Sequence, residues 1–367
     1  MPRILIPVVL TGLLAAAPLT GLGQATAPAS DLEVSAPAPT PLVPLDQTHP
    51  KELSGLTWAG GNQYYAVADG QSAIHPYTIT LDPDDGHVVS ATRGEAVPLL
   101  DADGHAWGGT DLEGIAFDAA SGDVYLADEA RSSDLRRAIR RHRVSDGRHV
   151  GSVEVGAAAF RTRNFRGGHG LESLALTGAT LWTANEDTLV ADGPGSSRRG
   201  GGVVRLTQIA PGGPVSQWAY LTEPSAGALP YGAGAMSGVV DLAALPDGRV
   251  LVLERATSGS RAPGDIGGFI SRLYVVDVAG ATDIASIDRL ADLTPGEDYH
   301  AANKRLLWSQ FFSLFGGPNN FEGLALGPTL ADGSRSLLLV ADNDVLPSNL
   351  FALRLTGIEG RRPTPSP

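Results

Sequence analysis

The 367-residue sequence contains no cysteine, which excludes a disulfide framework, a thiolate metal site and a cysteine nucleophile. Lysine is almost missing too: of 27 basic residues, only Lys51 and Lys304 are lysines. Acidic residues outnumber the basic ones, to a formal net charge of −13. Nucleic-acid binding is therefore not expected, because the phosphate backbone requires clustered positive charge. No Gly-x-Ser-x-Gly elbow, His-Glu-x-x-His pair or phosphate-cradling loop occurs, and Gly234-Ala235-Met236-Ser237-Gly238 has the wrong spacing for an elbow. Past the N-terminus, no apolar run is long enough to span a bilayer.

What is present begins with an address. Met1-Pro2-Arg3 is a short basic start, Ile4 to Leu22 is apolar but interrupted by Pro7 and Pro18, and Gly23-Gln24-Ala25 offers small residues for cleavage. Residues 1–25 read as a secretory signal peptide, so an exported protein, periplasmic or extracellular, is expected. With no cysteine to carry a lipid, no stable membrane anchor is expected either. Residues 26–46 read as an Ala/Pro-rich linker in which Leu32-Glu33-Val34 suits a short edge strand. Residues 47–358 form the domain, and 359–367 a polar, proline-rich tail. An apolar content of 43% and a mean hydropathy of zero argue against disorder.

The domain alternates short β-rich runs with turns such as Ser121-Gly122-Asp123, Asp146-Gly147, Asp247-Gly248 and Asp332-Gly333. One helix is expected, over Asn303 to Phe315. A repeat is visible by eye. Asp111-Leu-Glu-Gly-Ile-Ala-Phe leads to Val124-Tyr-Leu-Ala-Asp-Glu129, and Gly170-Leu-Glu-Ser-Leu-Ala-Leu leads to Leu181-Trp-Thr-Ala-Asn-Glu186. Val240-Asp-Leu-Ala-Ala-Leu leads to Val250-Leu-Val-Leu-Glu254, and Asn320-Phe-Glu-Gly-Leu-Ala-Leu leads to Leu337-Leu-Leu-Val-Ala-Asp342. Leu53-Ser-Gly-Leu-Thr-Trp58, leading to Tyr65-Ala-Val-Ala-Asp69, is a weaker first copy. From Ser54 the steps are 59 residues to Glu113, 59 to Glu172, 69 to Asp241 and 81 to Glu322, room for four strands per unit. The expected fold is an all-β propeller of five to six four-stranded blades, any sixth lying between Glu254 and Asn319. A two-sheet sandwich would have no reason to repeat its acid.

If each copy runs down the channel and back, Glu113 meets Glu129, Glu172 meets Glu186, Asp241 meets Glu254 and Glu322 meets Asp342 at one mouth. Converging carboxylates must protonate, pair with arginine or bind a cation. Oxygen ligands without cysteine suit Ca²⁺, with Glu113, Glu172, Asp241, Glu322, Asn185 and Asp342 as candidate ligands and Asn343 beside them. Glu129, Glu186 and His169 are candidate bases, and Arg131 and Arg255 candidate holders of negative charge. The opposing reading makes the acids structural, paired with those arginines or with backbone N–H groups. Asp82 to Gly86 and Asp101 to Gly104 read as ordinary turns, and Arg136 to Arg143 as a solvated strand edge.

Ser54-Gly-Leu, Asp111-Leu-Glu-Gly-Ile-Ala, Gly170-Leu-Glu-Ser-Leu-Ala, Trp182-Thr-Ala-Asn-Glu, Val252-Leu-Glu-Arg and Asn320-Phe-Glu-Gly-Leu-Ala together resemble the phytase-like family, over about Lys51 to Asp344. The resemblance implies a secreted propeller hydrolysing a phosphate or other ester, with Ca²⁺ where it follows true propeller phytases. The phosphate-binding lysines of true propeller phytases cannot be mapped onto a chain with only Lys51 and Lys304, which departs from phytate as substrate; arginine could replace lysine in charge, and its fork suits phosphate. The expectation is a monomeric hydrolase of a small-molecule ester or phosphoester. A non-catalytic binding propeller and a lactonase-like enzyme are the alternatives.

Overall fold

The computed structural model describes residues 32–37, 42–45, 48–129, 139–156, 159–160, 164–166, 170–228, 235–259, 267–314, 319–343 and 346–358. The signal-peptide and tail assignments lie outside these residues. Short strands β1 (Glu33–Ser35) and β2 (Leu42–Pro44) come first. Blade 1 follows with β3 (Leu53–Gly60), β4 (Gln63–Ala68), β5 (Gln71–Leu81) and β6 (Val88–Arg93), and with β7 (Val97–Pro98) on the side of β5. Blade 2 holds β8 (Leu112–Asp118), β9 (Asp123–Asp128), β10 (Ile139–Arg143) and β11 (His149–Val153). Blade 3 holds β12 (Ala175–Thr177), β13 (Thr180–Ala184), β14 (Val203–Ile209) and β15 (Val215–Leu221). Blade 4 holds β16 (Ser237–Ala244), β17 (Val250–Ser258), β18 (Gly268–Asp277) and β19 (Asn303–Ser313). Blade 5 holds β20 (Asn320–Thr329), β21 (Arg335–Asp342) and β22 (Asn349–Thr356), its outer edge completed by β1 and β2.

Strand composition follows from position in the blade. Second strands such as β17 and β21 are covered on both faces and carry continuous apolar runs, Val250–Leu253 and Leu337–Val340, whereas outer strands such as β11 alternate between half-buried and exposed. Five apolar clusters fill the gaps between neighbouring blades, one for each gap. Val67 and Ile74 meet Leu112 and Leu126; Ala127 and Ile139 meet Leu174 and Leu181; Trp182 and Leu206 meet Val239 and Tyr274. Leu253 and Phe312 then meet Phe321 and Phe351, and Leu338 and Val340 return to Leu56 and Tyr64 of blade 1. This cyclic order closes a propeller of five blades and is incompatible with a two-sheet sandwich.

Three expectations change. Asn303 to Ser313 is strand, not helix: a bulge inserts Leu307 between the residues paired with Leu273 and Tyr274, so Leu306-Leu307 breaks the alternation and imitates a helical stripe. There is no sixth blade among the described residues between Glu254 and Asn319. That stretch supplies the outer strands of blade 4 and, from 278 to 302, a strap packed on blade 3, where Ile284, Leu290 and Tyr299 cluster with Ala219. The strap is fastened by Arg205, fully buried, which grips Asp192 at 2.7 and 2.8 Å and donates to the Ile284 and Ile287 carbonyls. Lastly, the expected linker is more than a linker: the edge strand expected at Leu32-Glu33-Val34 forms as β1, β2 joins it on blade 5, and Leu32 is buried in the cluster between blades 4 and 5.

Candidate functional site: an acidic channel mouth

In every blade the start of the first strand and the end of the second lie at the same mouth, stitched by backbone bonds: Asp69 to Glu52, Glu129 to Asp111, Glu186 to Gly170 and Thr257 to Met236. In blade 5, Asn320 pairs with Asp342. Just inside this mouth the register slips, at Leu53/Gly55, Leu112/Ile115, Val239/Asp241 and Phe321/Gly323. Blade 3 has the same feature, with Leu171 opposite Asn185 but Ala175 opposite Trp182. A bulge re-aims a side chain, and Glu113 and Glu322 are among the inserted residues. The glycines that follow serve the ring itself. A Cβ on Gly55 would lie 2.4 Å from the Glu113 carbonyl oxygen, one on Gly114 2.7 Å from Leu174 N, and one on Gly323 2.9 Å from the Ser54 carbonyl oxygen. The repeated acid-glycine pair thus combines an aimed carboxylate with blade-to-blade backbone contact.

The mouth has two unlike halves. On the side of blades 3 to 5, Arg255 reaches across. Its Nη1 donates to Glu322 Oε1 at 2.6 Å and to Asn320 Oδ1 at 3.2 Å, and its Nη2 donates to Glu186. Asn320 Nδ2 donates to Glu322 at 2.8 Å. Burial opposes the charge on Arg255, yet Glu322, Glu186 and Glu172 outweigh it and hold the guanidinium firmly protonated. Burial pushes Glu322 up to about 8, with Arg255 pulling the other way.

On the side of blades 1 to 3 there is no such partner among the described residues. Glu113 and Glu172 are only 9% and 8% exposed, and neither carboxyl has a hydrogen-bond donor among the described residues. Burial, then repulsion from Glu322, Glu129, Asp111 and Asp69, raises Glu113 well above the ordinary carboxylate range. Burial, then Glu113, Glu129, Glu186 and Glu322, does the same to Glu172. Carboxylate oxygens of Asp69, Asp111 and Glu113 all lie within 4.8 Å of one another. Glu129 Oε1 is held by the Gly170 N–H at 2.6 Å.

Other candidates are placed differently. Asp241 accepts from Leu324 N at 2.6 Å and Leu242 N at 2.8 Å, and also from Leu174 N; it pins the inner strands of blades 3, 4 and 5. Asn185 accepts from Arg205 N and donates to the Asp187 carbonyl, so its amide is engaged inside blade 3. Asp342 adjoins Glu322 and raises it. Glu254, expected opposite Asp241 at the mouth, instead lies between blades 3 and 4, bound by Tyr220 Oη at 2.5 Å and Lys304 Nζ at 2.9 Å. Asn343 Oδ1 is buried without a hydrogen-bond partner. Arg131 and His169 lie outside the described residues. Sequence reasoning did not assign Asp69 and Asp111 as ligands, although both stand inside the repeat; the mouth-side stitching brings them beside Glu113. The acidic turns at Asp82 and Asp101 are closed by their own side chains accepting from Asp84 N and Asp103 N. A groove of about 480 Å³ between the outer strands of blades 2 and 3, lined by Tyr125, Glu154 and Pro211 among others, contains none of the mouth acids.

A family model described as "Phytase-like: Esterase-like activity of phytase" matches residues 48–345. The chain belongs to the phytase-like family. Among solved structures, this phytase-like chain is similar to a streptogramin B lyase (11% identity, 86% of this chain and 97% of that chain, TM-score 0.35). It is also similar to an exo-1,5-alpha-L-arabinanase from a bovine ruminal metagenomic library (12%, 82% and 92%, TM-score 0.34). A third similar structure is the GH43 endo-arabinanase from Bacillus licheniformis (13%, 83% and 94%, TM-score 0.34). No curated protein matches. Among the described residues, no helix is long and apolar enough to cross a membrane.

Proposed function

We propose that this phytase-like propeller is an exported hydrolase of a small-molecule ester or phosphoester, acting as a monomer with Ca²⁺ at the half of the mouth that Arg255 does not reach. The observation that carries the reading is the pair Glu113 and Glu172: two carboxyls more than nine-tenths buried, repelling each other, with no hydrogen-bond donor or ion-pair partner among the described residues. Such groups call for a positive charge or a proton, and hard, flexible oxygen ligands suit Ca²⁺. Asp69, Asp111, Glu113 and Glu172 would hold it, with Glu322 and Asp342 adding negative field from the far side.

When bound, the ion would polarise an ester or phosphoryl oxygen and lower the pKa of a water. Glu129 adjoins both Glu113 and Glu172 and is fixed by the Gly170 amide, so it would accept the proton of that water. Glu186 and Glu322 hold the guanidinium of Arg255, which presents a fixed positive charge to an anionic oxygen; its buried Nε has no partner of its own. His169 and Arg131 keep their sequence-based assignments as a second base and a second cation.

The test is metal content and thermal melting of the purified chain with and without chelator, alongside Glu172→Ala. Stoichiometric Ca²⁺, a lower melting temperature after its removal, and a folded but inactive Glu172→Ala are expected. Metal-free protein whose melting ignores added Ca²⁺ would overturn the reading and make the acids structural.

A further inference from the structure

The crossing from β13 to β14 begins and ends at the acid mouth, and its tip is built unusually. Ser197 N donates to the Gly200 carbonyl at 2.9 Å, closing a tight turn whose two central residues are Arg198 and Arg199. Both are exposed, and neither guanidinium has an acidic or hydrogen-bonding partner among the described residues; the Arg199 N–H donates to Ser197 Oγ at 3.2 Å. Among the described residues, most other arginines are engaged: Arg140 with Asp128, Arg141 with Asp123, Arg205 with Asp192, Arg249 with Asp247, Arg354 with Asp332. Two adjacent unpaired guanidinium groups stand out among the described residues of a chain of net charge −13.

The stem of this turn is rigidly fixed. Ser196 N donates to Asp187 Oδ1 at 3.0 Å, Ser196 Oγ accepts from Ser237 N at 2.8 Å, and the Ser197 carbonyl accepts from Ser225 N at 3.1 Å. Asp187 itself is buried, and the Arg166 Nε donates to the Thr188 carbonyl at 3.0 Å. Ser237 adjoins Gly238, which is the strand partner of Arg255 and lies so close to Glu186 that a Cβ there would come within 2.8 Å of its Cγ. The anchor of the arginine turn is therefore one residue from the contact between blades 3 and 4 that positions Glu186 and Arg255. A freely solvated loop tip has no need of three separate anchors at its base.

We infer that Arg198 and Arg199 form an anion subsite at the rim of the mouth, which selects substrates carrying a carboxylate or phosphate remote from the bond that reacts. The inference rests on the acid mouth being the reacting site. Guanidinium forks bind carboxylate and phosphate oxygens in pairs. Each exposed ion pair is worth little alone, so the two together should give about tenfold in affinity.

The probes are two non-hydrolysable ligands that share one end: butylphosphonate, and 4-phosphonobutanoate with its additional remote carboxylate. Both are titrated calorimetrically into the full chain and into Arg198→Gln/Arg199→Gln, with and without Ca²⁺. Ca²⁺ binding is measured on the same samples. The wild-type chain should bind 4-phosphonobutanoate about tenfold more tightly, and the double variant should bind the two alike while keeping its Ca²⁺ affinity. No preference in the wild type, a preference that survives in the variant, or binding of neither probe would overturn the subsite. Absence of Ca²⁺ binding with the preference present and then lost in the variant would sink the metal reading alone.

Discussion

The two halves of the channel mouth hold the same residue type at equivalent strand ends and bulges, yet their electrostatics differ completely. Beside blades 3 to 5, Glu186 and Glu322 share Arg255, and one guanidinium bridges three blades. Beside blades 1 to 3, Glu113 and Glu172 are as deeply buried but form no ion pair among the described residues; Arg255 acts on Glu172 only through its field. The first arrangement is self-sufficient, because removing any member leaves a buried charge behind. The second is incomplete by itself, since burial of a lone carboxylate is unfavourable until a proton or a cation arrives. The difference teaches that repetition in sequence does not imply repetition of role: one arginine, at the strand position where blades 2 and 3 carry Glu129 and Glu186, turns half a ring of acids into structure.

The comparison can be broken most decisively by activity. Glu172→Ala should lower turnover by about a thousandfold, the scale of a lost Lewis acid, with circular dichroism unchanged. Near-normal turnover would show that the unpaired half has no chemical role. Next in size is Arg255→Met, which should destabilise the protein by about 3–5 kcal/mol in urea melts, because it strands Glu186 and Glu322. A loss below about 1 kcal/mol would mean that the two halves are not different after all.

Much of this was legible in the chain, for definite physical reasons. Second strands covered on both faces must be apolar throughout, so Val250–Leu253 and Leu337–Val340 stand out. The recurring Leu-Glu-Gly stands out because a bulge and a glycine are needed wherever blades touch by backbone. What could not be read was which acids find partners. Asp241 falls in step with Glu113, yet one bulge displaced within Val239/Asp241 turns it onto the Leu242 and Leu324 amides. Glu254 is adjacent to Arg255, and strand alternation sends it to the opposite face, towards Tyr220 and Lys304. The Asn303 to Ser313 strand was hidden by its own bulge.

Smaller effects sharpen the contrast through pH. Carboxyls held above their unfolded values contribute stability that is complete below about 4.5 and is lost as pH rises through the folded value, about 8 for Glu322. Chelated protein should accordingly melt at a lower temperature at pH 8 than at pH 6, and Ca²⁺ should remove most of that slope. Glu113→Gln should raise the melting temperature of chelated protein at pH 8; a fall would show that the carboxylate already has a favourable partner.

Histidines outside the mouth work in the opposite direction. His75 and His142 are buried and lowered to about 4, by burial first. Their contribution is complete above the ordinary value of 6.5 and is lost as pH falls towards 4, on the order of 3 kcal/mol each at most. His75→Leu should flatten that acid limb, and an unchanged limb would exclude His75 as its source.

Blade 5 draws its strands from both ends of the chain: β22 near the C-terminus takes Glu33–Ser35 and Leu42–Pro44 as edge partners. Thr356 and Glu33 are thereby joined across 323 positions of sequence. A chain emerging from its N-terminus can complete blades 1 to 4 in turn, but β1 and β2 must wait, unmatched, until the last strand arrives. Ring closure is then the slow, high-contact-order event of folding. Once it has happened Glu33 and Thr356 are neighbours, so joining the propeller domain at these two positions and opening it at the Ser121-Gly122-Asp123 turn should leave the same propeller with a different order of synthesis.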